Sequence, residues 1–349
     1  MTTAFTCRCK GIIGPCPKIG MAAPQWAVPP GYLLFLPNKF SLFKEAVMKV
    51  RLIFSLLLVI AGFALGSASA RDSGGGSTNY LALGDSVTFA YIEQAGYEYY
   101  YPTNFVGYAD YLDLTLSLNV ADAACPGETT GSFISSTAPD NGCRAYRSLF
   151  PLHVVYGSIK GTQLAFATGF LQQHSGTQLI TINLGANDVF LLEQQCNDDP
   201  TCIEDGLPQV LATAEANMTT ILAALRATGF NGTIIVANYY SLDYSNQFET
   251  EVTMALNQAI TAPAPAYGAI VADVFSAFEA AVSNPFAAGN TCVAGLLNAS
   301  NPPTSPPSCD VHPSQSGHKL IAQAVAGVYA QRSGRPVIAA RLADSGGHQ

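Results

Sequence analysis

Charge is scarce in this 349-residue chain, where Asp, Glu, Lys and Arg together make up 11%. Basic residues are scarcest beyond the first seventy positions. Residues 1–70 hold seven of the sixteen Lys and Arg and one acid, Glu45, which leaves nine basic against twenty-three acidic residues and a net charge of −14. Such a surface repels phosphate backbones and anionic headgroups, and this excludes nucleic acid as a partner. Apolar runs of membrane-spanning length are missing too. Residues 52–65 form a run of fourteen, against about 20 needed to cross a bilayer, so no stable membrane anchor is expected. Beyond residue 70 no cluster has zinc-ligand spacing, and neither metal nor cofactor is expected. Internal repeats and domain-splitting linkers are also missing.

The short apolar run has a reading of its own. Lys49 and Arg51 precede it and Ala68, Ser69 and Ala70 follow it, the order of a secretory signal peptide cleaved near Ala70. Signal peptides begin proteins, so residues 1–47 read as an upstream segment and Met48 as the true start. Residues 71–79 are a flexible lead-in, 80–333 one domain, and 334–349 a loosely attached tail. Six cysteines remain in the exported part, and an even number implies disulfides. Pairing of sequence neighbours is expected: Cys125 with Cys143, Cys196 with Cys202, and Cys292 with Cys309.

Five short apolar runs read as strands: 80–83, 118–123, 179–184, 233–238 and 269–275. They are continuous rather than alternating, as in parallel strands buried on both faces. Helical stretches separate them, so the class is α/β with an open parallel sheet. Ligands bind such sheets at the carboxyl ends of the strands, and polar clusters stand there. Gly84-Asp85-Ser86 follows the first run, a loop with Gly127 the second, and Asn187 with Asp188 the third. Asp310 and His312 lie between the fifth run and the last helix. A serine hydroxyl needs a base, usually histidine, to become a nucleophile. The oxyanion it creates needs hydrogen-bond donors aimed at it. Ser86, His312, Gly127 and Asn187 make up that set.

These blocks, "LALGDSVTFAY", "ADAACPGETT", "LGAND" and "DVHP", resemble those of the SGNH or GDSL-type esterase/lipase superfamily. The resemblance spans residues 80–320. It implies a three-layer α/β/α sandwich with a flavodoxin-like, five-stranded parallel sheet. It also implies Ser86 as nucleophile, His312 as general base, and an oxyanion hole made by the N–H groups of Ser86 and Gly127 and the side chain of Asn187. One departure stands out. The family places its catalytic Asp three residues before the His, where this chain has Cys309. Either Asp310 orients the imidazole or the Cys309 carbonyl does, and Asp310 is the expected partner.

The alternatives are plainer. The plainer reading of Ser86 is a helix cap. Asp85 lacks the second Asp of an aspartyl-phosphate site, because Val87 stands there; Asp85 and Asp188 are expected to hold loops by accepting N–H bonds. Thr88 replaces the last Gly of a G-x-S-x-G elbow, against the α/β-hydrolase fold. His153, His174, His318 and His348 have no motif around them. The acidic loop 196–205 reads as a solvated loop rather than a calcium site, and Asn217, Asn231 and Asn298 lie in N-x-S/T sequons. The aromatic stretch 97–108 is a substrate wall or a packed loop, and Leu149, Phe150, Phe190 and Leu191 are candidates for an acyl-pocket floor. The expected protein is thus a secreted, monomeric serine esterase or lipase acting on small-molecule, lipid or acylated-sugar esters. A carbohydrate O-deacetylase and a non-catalytic binding protein of the same fold are the alternatives.

Overall fold

A computed structural model describes residues 79–156, 161–300, 304 and 307–334, all within one compact unit, Asp72–Gln349. The signal-peptide, start-site, lead-in and tail expectations fall on residues 1–78 and 335–349, outside the described residues. Five strands form one parallel sheet: β1 (Tyr80–Gly84), β2 (Val120–Asp122), β3 (Leu179–Asn183), β4 (Thr233–Ala237) and β5 (Ile270–Ala272), in the order β2-β1-β3-β4-β5. All ten residues of β1 and β3 are buried, as continuous apolar runs in a covered parallel sheet should be.

The second and fifth strands are shorter than the apolar runs suggest. The fifth stops at Ala272 because Asp273 accepts the Ser276 N–H and caps a helix, so Val274 and Phe275 are helical. The helices that shape the site are α1 (Ser86–Phe89), α2 (Tyr108–Leu116), α3 (Thr130–Ile134), α4 (Cys143–Leu149), α5 (Gln163–Gln173), α6 (Ala186–Cys196), α7 (Pro200–Ala227), α8 (Gln247–Thr261), α9 (Val274–Val282) and α10 (Gln315–Ser333). Right-handed crossovers toward opposite edges of a sheet place their helices on opposite faces. Accordingly α10 packs on α2, α9, β4 and β5, while α5, α6 and α8 pack around α7.

Two parts of the chain differ from expectation. The acidic loop 196–205 is mostly helix: Asp199 accepts the Cys202 N–H, Pro200 supplies the first-turn φ, and α7 runs on through Pro208. The segment before the last helix, expected as loop, contains an antiparallel pair, β6 (Leu297–Ala299) and β7 (Cys309–Pro313). The cysteines form Cys125–Cys143, Cys196–Cys202 and Cys292–Cys309 bonds. Among the described residues no helix is long and apolar enough to cross a membrane.

Candidate active site

The sheet order reverses between β1 and β3, and the carboxyl ends flanking such a switch point open a crevice. Ser86 comes off β1 and Asn187 off β3. Gly84 ends β1 with φ +147°, and a Cβ on it would lie 2.2 Å from Asn183 O, so only glycine fits. The buried Gln163 amide grips this residue from α5: Oε1 accepts the Gly84 N–H at 2.7 Å and Nε2 donates to Gly84 O at 2.9 Å. Asp85 then caps α1 by accepting the Val87 N–H at 3.0 Å. Capping therefore falls to Asp85, and Ser86 is the first helical residue, partly exposed.

Asp85 also reaches across the crevice. Its Oδ2 accepts from Tyr239 Oη at 2.5 Å and from Asn187 Nδ2 at 3.4 Å. Burial pushes its carboxyl up to about 6, against the lowering effect of the Tyr239 and Val87 hydrogen bonds. Asn187 is fixed from the other side as well: Nδ2 donates to Glu128 O at 3.0 Å and Oδ1 accepts from Asn141 Nδ2 at 2.9 Å. Asp188 accepts the Thr130 N–H and hydroxyl at 2.8 and 2.6 Å, joining the third block to the second. Both aspartates thus hold loops through backbone N–H groups, in line with the sequence reading.

Gly127 lies in the loop clasped by the Cys125–Cys143 bond, and its carbonyl accepts the Asn141 N–H at 2.8 Å. Its φ is +82°, and a Cβ there would meet Asn141 O at 2.3 Å. Among the described residues nothing accepts from the N–H of Ser86 or of Gly127. Gly127→Ala is expected to push the loop away from Asn141 and lower kcat by about 10²- to 10³-fold, the usual cost of one lost oxyanion donor. Steady-state kinetics on a folded variant checks it; unaltered kcat would remove Gly127 from the site.

His312 sits on β7, which is held by the Cys292–Cys309 bond and by Tyr240 Oη donating to Val311 O at 2.7 Å. Asp310 Oδ1 accepts the His312 backbone N–H at 2.7 Å and lies 3.4 Å from Nδ1. That second contact has the distance of an ion pair but not the direction of a hydrogen bond, and Nδ1 has no hydrogen-bond partner. The carboxylate is anchored by the Glu93 N–H on Oδ2 at 3.0 Å, and the Tyr91 ring meets the imidazole edge-on at 5.0 Å. Of the two supports open from sequence, the structure brings Asp310 to the ring. His318 faces the interior, with burial, then the nearby His312, lowering its imidazole to about 3. His153 and His174 pack on Phe89 and Phe170.

Ser86 and His312 line two depressions. One of about 360 Å³ also includes Gly127, Asn187, Asn141, Tyr91 and Tyr146. An apolar cavity of about 480 Å³ opens on the other side. Phe190 lines both, but the other expected pocket residues do not. Leu149 is 66% exposed, Phe150 packs among Tyr99, Tyr100 and Tyr146, and Leu191 lines a separate depression. The cavity walls come instead from segments such as Leu242–Leu256, whose helical period showed no sign of a pocket. The aromatic stretch is divided: Phe105 and Tyr108 are core, Tyr99 stacks on Tyr91 behind His312, and Tyr97 is exposed. One group of possible metal ligands occurs among the described residues, Cys125, Glu128 and Cys143, and its two sulfurs are bonded to each other.

The protein is a carboxylic ester hydrolase of the α/β class. The chain belongs to the GDSL-like Lipase/Acylhydrolase family, whose model matches residues 82–320. Similar solved structures include a phospholipase A1 from Streptomyces albidoflavus, at 14% identity over 75% of this chain and 100% of that one, TM-score 0.47. An acetyl xylan esterase from Geobacillus stearothermophilus is similar at 14% identity over 76% and 98%, TM-score 0.42. A lipolytic protein of the G-D-S-L family from Veillonella parvula is similar at 15% identity over 73% and 99%, TM-score 0.38. No curated protein sequence matches the chain.

Proposed function

We propose that the protein is a secreted, monomeric serine esterase working through an acyl-enzyme on Ser86. The observation that carries this is convergence: Ser86, Gly127, Asn187 and His312, from four separated blocks of sequence, line one depression. Ser86 Oγ bonds to the ester carbonyl carbon as its proton passes to His312. The carbonyl π pair moves onto oxygen, and the N–H groups of Ser86 and Gly127 stabilise the oxyanion, joined by the Asn187 Nδ2 hydrogen that leaves its long 3.4 Å contact with Asp85. Collapse breaks the bond to the leaving alkoxide, which takes the proton from His312. Water then repeats the sequence against the acyl-enzyme. Asp310 holds the imidazole and stabilises its cation.

Secretion is supported by the signal-peptide pattern at 48–70 and by three disulfides in the domain. The substrate is a carboxylic ester with an apolar acyl part. The depression at Gly127 and Asn187, where the rings of Tyr91 and Tyr146 join Asn141 in the lining, favours a second reading in which the alcohol is a sugar. The full chain produced through an oxidising secretory route, assayed on p-nitrophenyl esters and an acetylated oligosaccharide, tests both. Ser86→Ala is expected to lower kcat by at least about 10³-fold; a variant that keeps a tenth or more of wild-type turnover would sink the acyl-enzyme.

A further inference from the structure

The cavity beside Ser86 has two kinds of wall. Val189 of α6 and Val252 and Leu256 of α8 form an inner wall continuous with the sheet core. Ile203 and Phe248 form an outer wall, and they belong to a second, smaller apolar cluster with Leu192 and Cys196. This cluster sits where α6 turns into α7, and the Cys196–Cys202 bond closes that corner over a sequence separation of 6. The turn uses two successive left-handed residues, Asn197 at φ 50° and Asp198 at φ 59°. Non-glycine residues rarely take that conformation twice running, so the surroundings must hold it. The disulfide is the covalent part of that hold.

The cavity's chemistry selects its occupant. Its lining is mostly aliphatic and aromatic, and its carboxyl-bearing members, Asp85, Glu193, Asp198 and Glu249, outnumber its one basic group, His312. Glu249 is held in place by the N–H groups of Leu242 and Asp243 at 2.6 and 3.0 Å. An uncharged hydrocarbon fits this lining, whereas a phosphate or a second carboxylate would face four acids. A volume of about 480 Å³ lies within the range of sites that enclose small ligands.

We propose that this cavity binds the acyl half of a medium-chain ester, and that the disulfide-braced corner at 196–202 sets the chain length it accepts. The proposal rests on the serine esterase reading above. Each methylene that enters the cavity adds about fourfold to kcat/KM, until the chain reaches the outer wall and the gain stops. Because that wall is fastened by a small separate cluster and one covalent bond, it shifts without disturbing the sheet that carries Ser86.

The test is the kcat/KM profile on p-nitrophenyl esters from acetate to palmitate, using the full chain produced through an oxidising secretory route. The wild type is expected to prefer octanoate to both acetate and palmitate. Ile203→Trp, which fills the outer wall, should lower the octanoate-to-acetate ratio by at least about tenfold. Replacing Cys196 and Cys202 together by Ser, which loosens the wall, should raise the palmitate-to-octanoate ratio. Phe248→Ala should act in the same direction and serves if the cysteine variant does not fold. Profiles parallel to wild type in the folded variants would overturn the proposal. So would a response confined to the alcohol side, measured with acetate esters from ethanol to octanol. A folded wild type that hydrolyses no ester in either series, nor an acetylated oligosaccharide, would instead refute the serine esterase reading, which separates the two failures.

Discussion

His312→Ala is expected to lower kcat on p-nitrophenyl butyrate by roughly four orders of magnitude or more, the cost of removing the general base from a serine hydrolase. Asp310→Asn should cost much less, about 10- to 100-fold. In well-aligned triads the same change costs about 10⁴-fold, because the carboxylate fixes the tautomer of the base. Here Asp310 Oδ1 lies 3.4 Å from Nδ1 without hydrogen-bond direction, and its stronger bond is the His312 backbone N–H at 2.7 Å. An asparagine oxygen can still accept that backbone bond, so β7 stays in place while the imidazolium loses its counter-charge. Steady-state kinetics of both variants over a pH series decides the matter. An Asp310→Asn loss as large as that of His312→Ala would mean the pair closes to full alignment in the working enzyme. No loss at all would mean His312 works as a dyad with Ser86.

The protein should also be most stable in mild acid, with a melting temperature roughly 10 °C higher at pH 5 than at pH 8. Three carboxylates are sealed in the domain, and burial pushes Asp85 up to about 6, Asp122 to about 7 and Glu128 to about 7. A carboxyl whose folded pKa lies above its unfolded value binds its proton more tightly in the native state. Stability therefore falls as pH rises through that interval and is restored as pH drops. For Asp85, raised from 3.8 to about 6, full ionisation costs on the order of 3 kcal/mol.

His318 acts in the opposite sense. Its imidazole is lowered from 6.5 to about 3, so its contribution is lost as pH falls below 6.5. Between about pH 4.5 and pH 6, three carboxylates outweigh this one histidine, so on these groups stability still rises as pH falls through 5 and turns over only below about pH 4.5. Glu128, whose oxygens accept from Ser132 Oγ at 2.5 Å and Gln163 Nε2 at 3.2 Å, offers the control. Glu128→Gln should flatten the profile above pH 5. Calorimetry from pH 4 to pH 8 checks both, and a melting temperature that is level or falling toward pH 5 would show that these groups ionise at little cost.

The sequence by itself determined the chemistry and the class of fold. Gly84-Asp85-Ser86, Gly127 and Asn187 were legible because each follows a buried apolar run within a few residues, and strand ends are local features, whereas His312 was legible from the DVHP block. The same locality made the cysteine pairs easy to read. Tertiary structure alone decided what stands next to those residues. Gln163 pins Gly84 from 79 positions away and Tyr239 meets Asp85 from 154 away, and no local pattern marks a single buried amide or phenol as their partner. The β6–β7 pair that presents His312 escaped notice because its strands are short and half-buried, so neither shows an apolar period. The cavity walls escaped for a related reason. Phe248, Val252 and Leu256 carry the ordinary spacing of a packed helix, and whether that face meets the core or a void depends on how α8 and the α6–α7 corner sit on the sheet. Hydrophobic pattern says which side of an element is buried; packing in three dimensions decides what it is buried against.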